Sequence, residues 1–112
     1  MKRPGQIVLT PFPHTDLSGP KLRPVLMLRK VPTRFDDWLV CMVSSQIQQA
    51  EANFDEVIAP ADDDYAAAGL KLPSVIRLSR LAVLDGARLV GAARDERLER
   101  LCRRLADWIA GK

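Results

Sequence analysis

Short apolar runs alternate with turn-forming residues along most of the chain, and this pattern predicts a sheet of short strands. In the first run, Ile7 and Leu9 share one face of an extended segment, which two prolines then close. The two runs that follow have no polar interruption, as expected of strands that are buried on both faces. The shorter predicted strands are Gln6–Thr10, Val25–Leu28, Trp38–Val43, Glu56–Ile58 and Leu89–Val90.

The longest strand candidate, residues 74–84, changes the parity of its apolar positions midway. Ile76 and Leu78 stand at even positions, whereas Leu81 and Val83 stand at odd ones. A strand can make this change only where an extra residue enters the pairing. The sequence therefore predicts a β-bulge near residues 79–80.

The last part of the chain changes to helical periodicity. Its apolar residues recur at intervals of three and four behind Asp95, a plausible N-cap, and the segment ends at Gly111. Charges of both signs occupy the other positions, a pattern typical of a solvated face. A helix of one or two turns is predicted at Tyr65–Ala68, with the acids 62–64 as its solvated start. The apolar helix positions are Leu98, Leu101, Cys102, Leu105, Trp108 and Ile109.

Between the first two strands, residues 13–24 are dense in proline, glycine and polar side chains, so a long surface loop is predicted there. Long ordered loops on small domains are often functional. Because no repeat or linker divides the chain, we expect one domain over residues 1–112. The elements together predict a mainly β fold with some helix: a small, mostly antiparallel SH3-like barrel with a C-terminal helix.

Composition narrows the functional classes. The net charge is +3 and the pI is about 9.2, which suits an anionic partner that binds a local basic patch. The longest apolar run, Trp38 to Val43, falls far below the roughly 18–20 residues that would span a bilayer. We therefore expect a cytoplasmic protein without membrane segments. Cys41 and Cys102 lie far apart and there is one histidine, so no disulfide, metal site or cofactor is predicted.

Three blocks of the sequence closely resemble, in order and spacing, the MazF/PemK toxins of bacterial toxin–antitoxin systems. The first extends from Gly5 to Leu26 and contains the Arg23-Pro24 pair. The second is Val-Ser-Ser-Gln-Ile-Gln at 43–48, and the third is Ser-Val-Ile-Arg at 74–77. The resemblance implies a barrel of the CcdB/MazF plasmid-maintenance-toxin type, a homodimer, and a cognate antitoxin with an acidic tail.

The resemblance also implies an activity, the metal-independent cleavage of single-stranded RNA. In this family a ribose 2′-hydroxyl attacks the adjacent phosphate, which leaves a cyclic phosphate and a 5′-hydroxyl end. The reaction needs a base for the attacking hydroxyl, an acid for the departing oxygen, and positive charge facing the phosphorane. We therefore expect a sequence-selective endoribonuclease, or mRNA interferase, whose site is built from loop and strand ends.

Arg23 and Ser44 are the candidates for direct contact with the reacting phosphate. Arg23 matches the family's catalytic arginine by its place before proline, and its forked guanidinium suits a dianionic phosphorane. An arginine side chain gives up its proton only under strongly basic conditions, which argues against a role as base. Ser44 lies where the family commonly has a threonine that donates to the phosphate, and serine keeps that donor. The alternatives are an arginine that merely flanks a strand and a serine in an ordinary turn.

Arg77 and His14 are the other catalytic candidates. Arg77 matches an arginine that certain family members place in the active site, and its anionic partner could be RNA or, equally, an internal carboxylate. His14 has an ordinary pKa of about 6.5, which suits an acid or base, although an exposed loop residue is the commoner case. The acid that some members carry two residues after the arginine is Ser79 here, which weakens the proton-transfer part of the resemblance.

Four further residues are candidates for RNA binding. Lys21 and Arg80 could bind phosphates, and Gln46 could orient Ser44 or contact a base edge. Phe12 could stack on a base or pack at the rim of a groove.

Two alternative functions remain open at the level of sequence. One is a catalytically weakened RNA-binding module, suggested by the serines at positions 44 and 79. The other is a CcdB-like toxin that inhibits a protein target, which would require a hydrophobic tip on the terminal helix. RNA binding without product would favour the first alternative.

Overall fold

The computed structural model describes residues 2–11, 22–84 and 88–112, which form a six-stranded antiparallel sheet and two helices. The strand order is β4-β5-β3-β2-β1-β6, so β4 and β6 are the edges, and the sheet forms a half-barrel. The predicted mainly β, barrel-type fold with a C-terminal helix is confirmed. The elements are β1 (Gln6–Pro11), β2 (Leu22–Lys30), β3 (Trp38–Ser44), a 3-10 turn (Ile47–Gln49), β4 (Glu56–Ile58), α1 (Tyr65–Ala68), β5 (Ser74–Leu84), β6 (Arg88–Ala92) and α2 (Asp95–Ile109).

The predicted bulge in β5 is confirmed. Cys41 of β3 pairs with Leu81, whereas the next residue, Met42, pairs with Arg77. Residues 78–80 therefore stand between two neighbouring pairs of the ladder. Because an odd number of residues is inserted, odd positions face opposite sides of the sheet before and after the bulge.

The two faces of the sheet carry separate apolar clusters. The larger cluster includes residues of α2, and its strand members alternate along β2, β3 and β5 with residues of the other face. This alternation fixes which side chains of these strands share a face. The larger cluster contains Ile7, Leu26, Leu28, Cys41, Val43, Ile58, Ala68, Ile76, Leu78, Ala93, Leu101 and Leu105, and the smaller contains Val8, Val25, Met27, Trp38 and Val40.

Strand β2 begins earlier than the sequence predicts. Residues 22–24 were expected in the surface loop, but Arg23 pairs with Thr10 and Pro24 pairs with Leu9 in the β1·β2 ladder. Proline is compatible with this position because the ladder to β3 begins only at Val25. The remainder of the predicted loop, up to residue 21, lies outside the described residues.

Arginines on α2 attach the helix to β4. The guanidinium of Arg97, only 5% exposed, donates to Asp64 Oδ2 at 2.7 Å and to Asp64 Oδ1 at 3.1 Å. It also donates to Glu56 Oε1 at 3.0 Å. Arg100 and Arg104 donate to Glu56 Oε2 at 2.7 and 3.1 Å. Since α2 follows one edge strand and Glu56 belongs to the other, these contacts connect the two edges of the sheet.

Two surface predictions are therefore wrong. The arginines of α2 were expected on a solvated face, but Arg97 is buried, and only some, such as Arg103, are exposed. The acids 62–64 were expected to form a solvated helix start, but Asp64 is 3% exposed and bound to Arg97. A helix face with alternating charges can be solvated or can form ion pairs with another element. The local sequence pattern does not distinguish these two cases.

The start of α2 also differs from the prediction by one residue. Asp95 is the first helical residue, and Arg94 occupies the N-cap position without a side-chain capping bond. Arg94 N instead donates to Asp64 Oδ2 at 3.3 Å. Asp95 and Glu96 thus lie in the first turn, where negative charge is favourable against the helix dipole.

Two further features of the described residues bear on the sequence predictions. Cys41 is buried and Cys102 half-buried, both thiols are free, and burial raises the pKa of each. No helix in the described ranges combines the length and apolar character that a membrane crossing requires.

Replacing Gly91 by alanine is expected to destabilise the fold by about 1–3 kcal/mol or more, as overpacking does. Helix α1 packs so closely on β6 that an added Cβ would lie 2.2 Å from the carbonyl oxygen of Ala68. Backbone atoms cannot move aside as a flexible side chain can. Urea unfolding of the two proteins measures the difference.

Gly111→Ala is the matched control for this substitution. Gly111 has a φ of +78° but nothing within 4 Å of an added Cβ, so its cost is conformational, about 1–2 kcal/mol. Equal stability of Gly91→Ala and the unsubstituted protein would contradict the close packing of α1 on β6.

Candidate functional site

Three neighbouring strands bring Arg23, Ser44 and Arg77 to one end of the same sheet face. Met42 of β3 pairs with Val25 of β2 on one side and with Arg77 of β5 on the other, so these side chains share a face. Two positions along from Val25 and Met42, the same face carries Arg23 and Ser44. Extending the register sets these two residues opposite each other. Ser44 and Arg77 are diagonal neighbours, a relation that corresponds to about 7–8 Å between Cα atoms.

A cleft of about 260 Å³ opens where β2 begins and β3 ends. Among its described lining residues, the charged ones are Arg23 and Lys71, both cations. Hydroxyls and an amide add donors, while Leu22 and Leu72 contribute apolar surface and are each more than half exposed. A cleft of this character suits an anionic ligand that also has apolar parts. The lining comprises Leu22, Arg23, Pro24, Val43, Ser44, Ser45, Gln46, Leu70, Lys71, Leu72 and Ser74.

Local hydrogen bonds order the segment that follows Ser44. Its Oγ accepts a hydrogen bond from Gln46 N at 3.1 Å, an ST-type turn that bends the chain out of β3. Gln48 Nε2 then donates to Gln46 Oε1 at 2.7 Å. The first bond uses an acceptor site of the hydroxyl, so the Ser44 proton can still be donated to a ligand.

The Arg77 side chain contacts residues outside the described cleft lining. Arg77 is only 9% exposed, and its Nη1 donates to Gln49 Oε1 at 3.2 Å. Its Nε lies 3.7 Å from Asp55 Oδ2, an ion pair outside hydrogen-bond range. Arg77 is not among the described residues that line the cleft. Of the two partners that the sequence allowed for this arginine, the structure shows the internal carboxylate.

The other predicted residues have three different outcomes. Gln46 lines the cleft beside Ser44, whereas Arg80 is exposed in the β5 bulge and does not belong to the described lining. Phe12, His14 and Lys21 lie outside the described residues.

Sequence reasoning missed two contributors to this region. Lys71 stands in the segment between Gly69, which has a φ of 73° and ends α1, and Pro73. A cation between two such breakers is a signal that could have been used. Asp55 gives no comparable signal, because a single acid in a polar segment is normally a surface residue.

Comparison with known proteins supports a family assignment. A search among curated proteins returned no significant match. The family model described as PemK-like, MazF-like toxin of type II toxin–antitoxin systems matches residues 3–109. This match covers the described strands and α2 as far as its last residue, and it includes each described residue of the cleft lining. The chain therefore belongs to the PemK-like, MazF-like family of type II toxin–antitoxin toxins.

Proposed function

We propose that this toxin is a metal-independent endoribonuclease that cuts single-stranded RNA, or mRNA, in the cleft at the ends of β2 and β3. The observation that carries the proposal is that Arg23, near the start of β2, and Ser44, at the end of β3, both line one cleft. The charged residues described in that lining are cations. A phosphodiester backbone is the anionic polymer that such a surface attracts.

Cleavage follows from attack of a ribose 2′-oxygen on the adjacent phosphorus. The 2′-oxygen–phosphorus bond forms while the phosphorus–5′-oxygen bond breaks. A base takes the proton of the 2′-hydroxyl, and an acid returns a proton to the departing 5′-oxygen. The products are a 2′,3′-cyclic phosphate and a 5′-hydroxyl end.

Arg23 acts on the charge that develops at phosphorus during this attack. Its guanidinium can donate two parallel hydrogen bonds to the non-bridging oxygens. Preorganised donors of this kind are most effective where the negative charge increases between ground state and transition state. Ser44 donates its hydroxyl proton to the same phosphate, and Lys71 binds a neighbouring one.

Other predicted residues supply the proposed proton transfers and further RNA contacts. His14 is the proposed acid or base because an imidazole titrates near neutral pH. Lys21 and Phe12 are proposed to contact RNA from the same segment. Gln46 is proposed to hold Ser44 in place or to contact a base edge, and Arg80 to bind a phosphate farther along the strand. Arg77 completes the proposed catalytic set from the diagonal position on β5.

Membership of a type II toxin–antitoxin family implies an antitoxin partner. We propose that the antitoxin covers the basic cleft with an acidic segment, and that the toxin acts as a homodimer in the cytoplasm.

One observation favours the alternative of a catalytically weakened RNA-binding module. The guanidinium of Arg77 contacts Gln49 and Asp55 instead of the described cleft lining. A different observation favours a CcdB-like inhibitor of a protein target, which requires a hydrophobic tip on the terminal helix. Trp108 and Ile109 are 62% and 66% exposed at the end of α2. Both alternatives predict no RNA product.

A cleavage assay on a pool of single-stranded RNAs, with metal ions chelated, tests the proposed function. The expected result is a set of cuts with 5′-hydroxyl ends at a shared short sequence. Binding without product, with a log–log salt slope of roughly −0.7 per phosphate contact, would support the weakened module instead. If the protein neither binds nor cleaves these RNAs, RNA is excluded as its substrate.

Replacing Arg23 by alanine is expected to lower the cleavage rate by about 100- to 1,000-fold, the usual loss for one preorganised donor. Arg23→Lys keeps the charge but loses the planar fork, so an intermediate rate is expected. Single-turnover cleavage of a fluorescent oligonucleotide measures both variants. Thermal unfolding checks that β2 still pairs with its neighbours.

Arg103→Ala serves as the matched control, since this exposed arginine belongs to α2 and not to the described cleft lining. Its cleavage rate should equal that of the unsubstituted toxin. A rate for Arg23→Ala within twofold of the control would exclude Arg23 from the site.

A further inference from the structure

Asp55 is a buried carboxylate without a role in the proposed chemistry. Its side chain has no exposed surface, so its charge must be compensated inside the protein. Three donors supply that compensation at hydrogen-bond distance. Asp55 Oδ2 accepts from Glu51 N at 2.9 Å, Oδ1 accepts from Ser79 N at 3.2 Å, and both oxygens contact Ser79 Oγ, at 3.1 and 3.2 Å.

These bonds join two segments that are distant in sequence. Glu51 belongs to the loop between the 3-10 turn and β4, and Ser79 belongs to the β5 bulge. Asp55 N also donates back to Glu51 O at 2.9 Å, which closes the loop on itself. The Asp55 carboxylate therefore holds the β5 bulge next to the loop between the 3-10 turn and β4.

The same carboxylate faces Arg77. Arg77 Nε is buried and makes no hydrogen bond with the described residues, and Asp55 Oδ2 lies 3.7 Å from it. This separation is long for a hydrogen bond but short for an ionic attraction between buried groups. Arg77 is thus held by charge at its Nε and by Gln49 at its Nη1.

A continuous set of contacts extends from Arg77 to the cleft. Gln49 is the last residue of the 3-10 turn, whose first residue follows Gln46 directly. Gln49 N donates to Gln46 O at 2.9 Å. Gln46 in turn donates its backbone N–H to Ser44 Oγ at 3.1 Å. Displacing Arg77 therefore displaces the turn that holds the Ser44 hydroxyl.

We propose that Asp55 is a positioning residue of the cleft, which fixes Arg77 and the 3-10 turn so that Ser44 and Gln46 keep their places. The proposal rests on the proposed ribonuclease function for its kinetic consequence. Its structural consequence, the order of residues 44–49, is independent of that function. Some family members carry an acid at the position of Ser79. Here the negative charge at the bulge comes instead from Asp55, whose carboxylate lies beside the Ser79 hydroxyl.

The central test replaces Asp55 by asparagine, which preserves size but removes the charge that holds Arg77. We expect kcat per folded molecule to fall by about 10- to 100-fold, the loss that small displacements of reacting groups cause, with KM within about threefold. Asp63→Asn is the matched control, because the Asp63 side chain is 80% exposed. Its kinetic constants should equal those of the unsubstituted toxin.

An exchange variant separates positioning from general stability. Asp55→Ser combined with Ser79→Asp returns one carboxylate and one hydroxyl to the same pair of positions in reversed order. Recovery of at least about tenfold in kcat over Asp55→Asn is expected, because near-attack geometry is restored. Failure to recover, or an unchanged kcat in Asp55→Asn, would overturn the proposal.

Two further measurements cover variants that do not fold and a toxin that does not cleave RNA. Should Asp55→Asn be unfolded, Ser79→Ala removes only the hydroxyl contacts and must lower kcat while the folded fraction stays unchanged. Amide NMR spectra report the order of residues 44–49 whether or not the toxin cleaves RNA. If the unsubstituted toxin cuts no RNA, the proposed function fails, but shifts at residues 44–49 in the variant would still support positioning by Asp55. Unchanged amide signals there would refute it.

Discussion

Replacing the ribose at the scissile position of an RNA substrate by 2′-deoxyribose is expected to abolish cleavage. The proposed nucleophile is the 2′-oxygen of that ribose, and deoxyribose has no oxygen there. The phosphate, the base and the leaving group are unchanged, so RNA binding by Arg23 and Lys71 should persist. A chimeric oligonucleotide with one deoxyribose at the mapped cut site, analysed on a denaturing gel, measures the effect.

The matched substrate places the same single deoxyribose several nucleotides away from the cut site. This oligonucleotide should be cut at the rate of the all-ribose substrate. Competition between the two chimeras in a binding assay should show affinities within about twofold, because phosphate contacts dominate the affinity. Cutting of the first chimera at an undiminished rate would require a water nucleophile and would refute the proposed mechanism.

Replacing Arg97 by methionine is expected to lower the free energy of unfolding by about 3–5 kcal/mol, the range for removing one partner of a buried ion pair. Methionine fills much of the space of the arginine stem but donates no hydrogen bond. Asp64, whose side chain is 1% exposed, would keep its charge inside the protein without the two bonds that Arg97 supplies. Chemical denaturation at neutral pH measures the loss.

Arg103→Met is the control, because it makes the same chemical change at an exposed position of the same helix. Its effect should stay within about 0.5 kcal/mol, as for most surface substitutions. A loss of less than 1 kcal/mol for Arg97→Met would mean that the contacts between α2, Asp64 and Glu56 contribute little to holding the helix on the sheet.

The pH dependence of stability gives a second measurement of the same contacts. Burial opposes ionisation of Asp64, but hydrogen bonds from Arg97 and from the Arg94 backbone outweigh it, and the pKa of Asp64 lies below its usual range. Burial likewise opposes ionisation of Glu56, and Arg100, Arg104 and Arg97 lower its pKa. A carboxyl group whose pKa is lower in the folded state stabilises the fold above its unfolded pKa, and this stabilisation is lost as pH falls.

The stability difference between the unsubstituted toxin and Arg97→Met should therefore be full at neutral pH. It should shrink as pH falls below about 4, the ordinary range for these carboxyl groups. A difference that stays constant from neutral to strongly acidic pH would show that lost packing, not lost ion pairing, causes the destabilisation.

Much of the fold was predictable from local patterns. The strands at residues 6–10, 25–28 and 38–43, the parity change in β5 and the terminal helix all follow from periodicity within a single element. Boundaries were less accurate, as at β2, where Pro24 suggested a loop. The ladder with β1 extends the strand to Leu22 because proline needs no donor on a side where the β3 ladder has not yet begun.

The candidate site was predictable in part. The order of three sequence blocks indicated Arg23, Ser44 and Gln46, and the structure brings these to one cleft. Lys71 was missed because it belongs to none of those blocks. The orientation of Arg77 was left between RNA and an internal carboxylate, and the structure shows the carboxylate of Asp55.

By itself, the sequence determined the elements of this protein and the faces of its strands, because alternation and helical periodicity depend on neighbours along the chain. Only the tertiary structure decided which charges meet. Arg97 and Asp64 are 33 positions apart, and Ser79 and Asp55 are 24 apart. Ion pairs form between the charged side chains that come close together once the sheet has curved and α2 has packed on it. Burial then strengthens the pairs that result, and no local pattern carries that information.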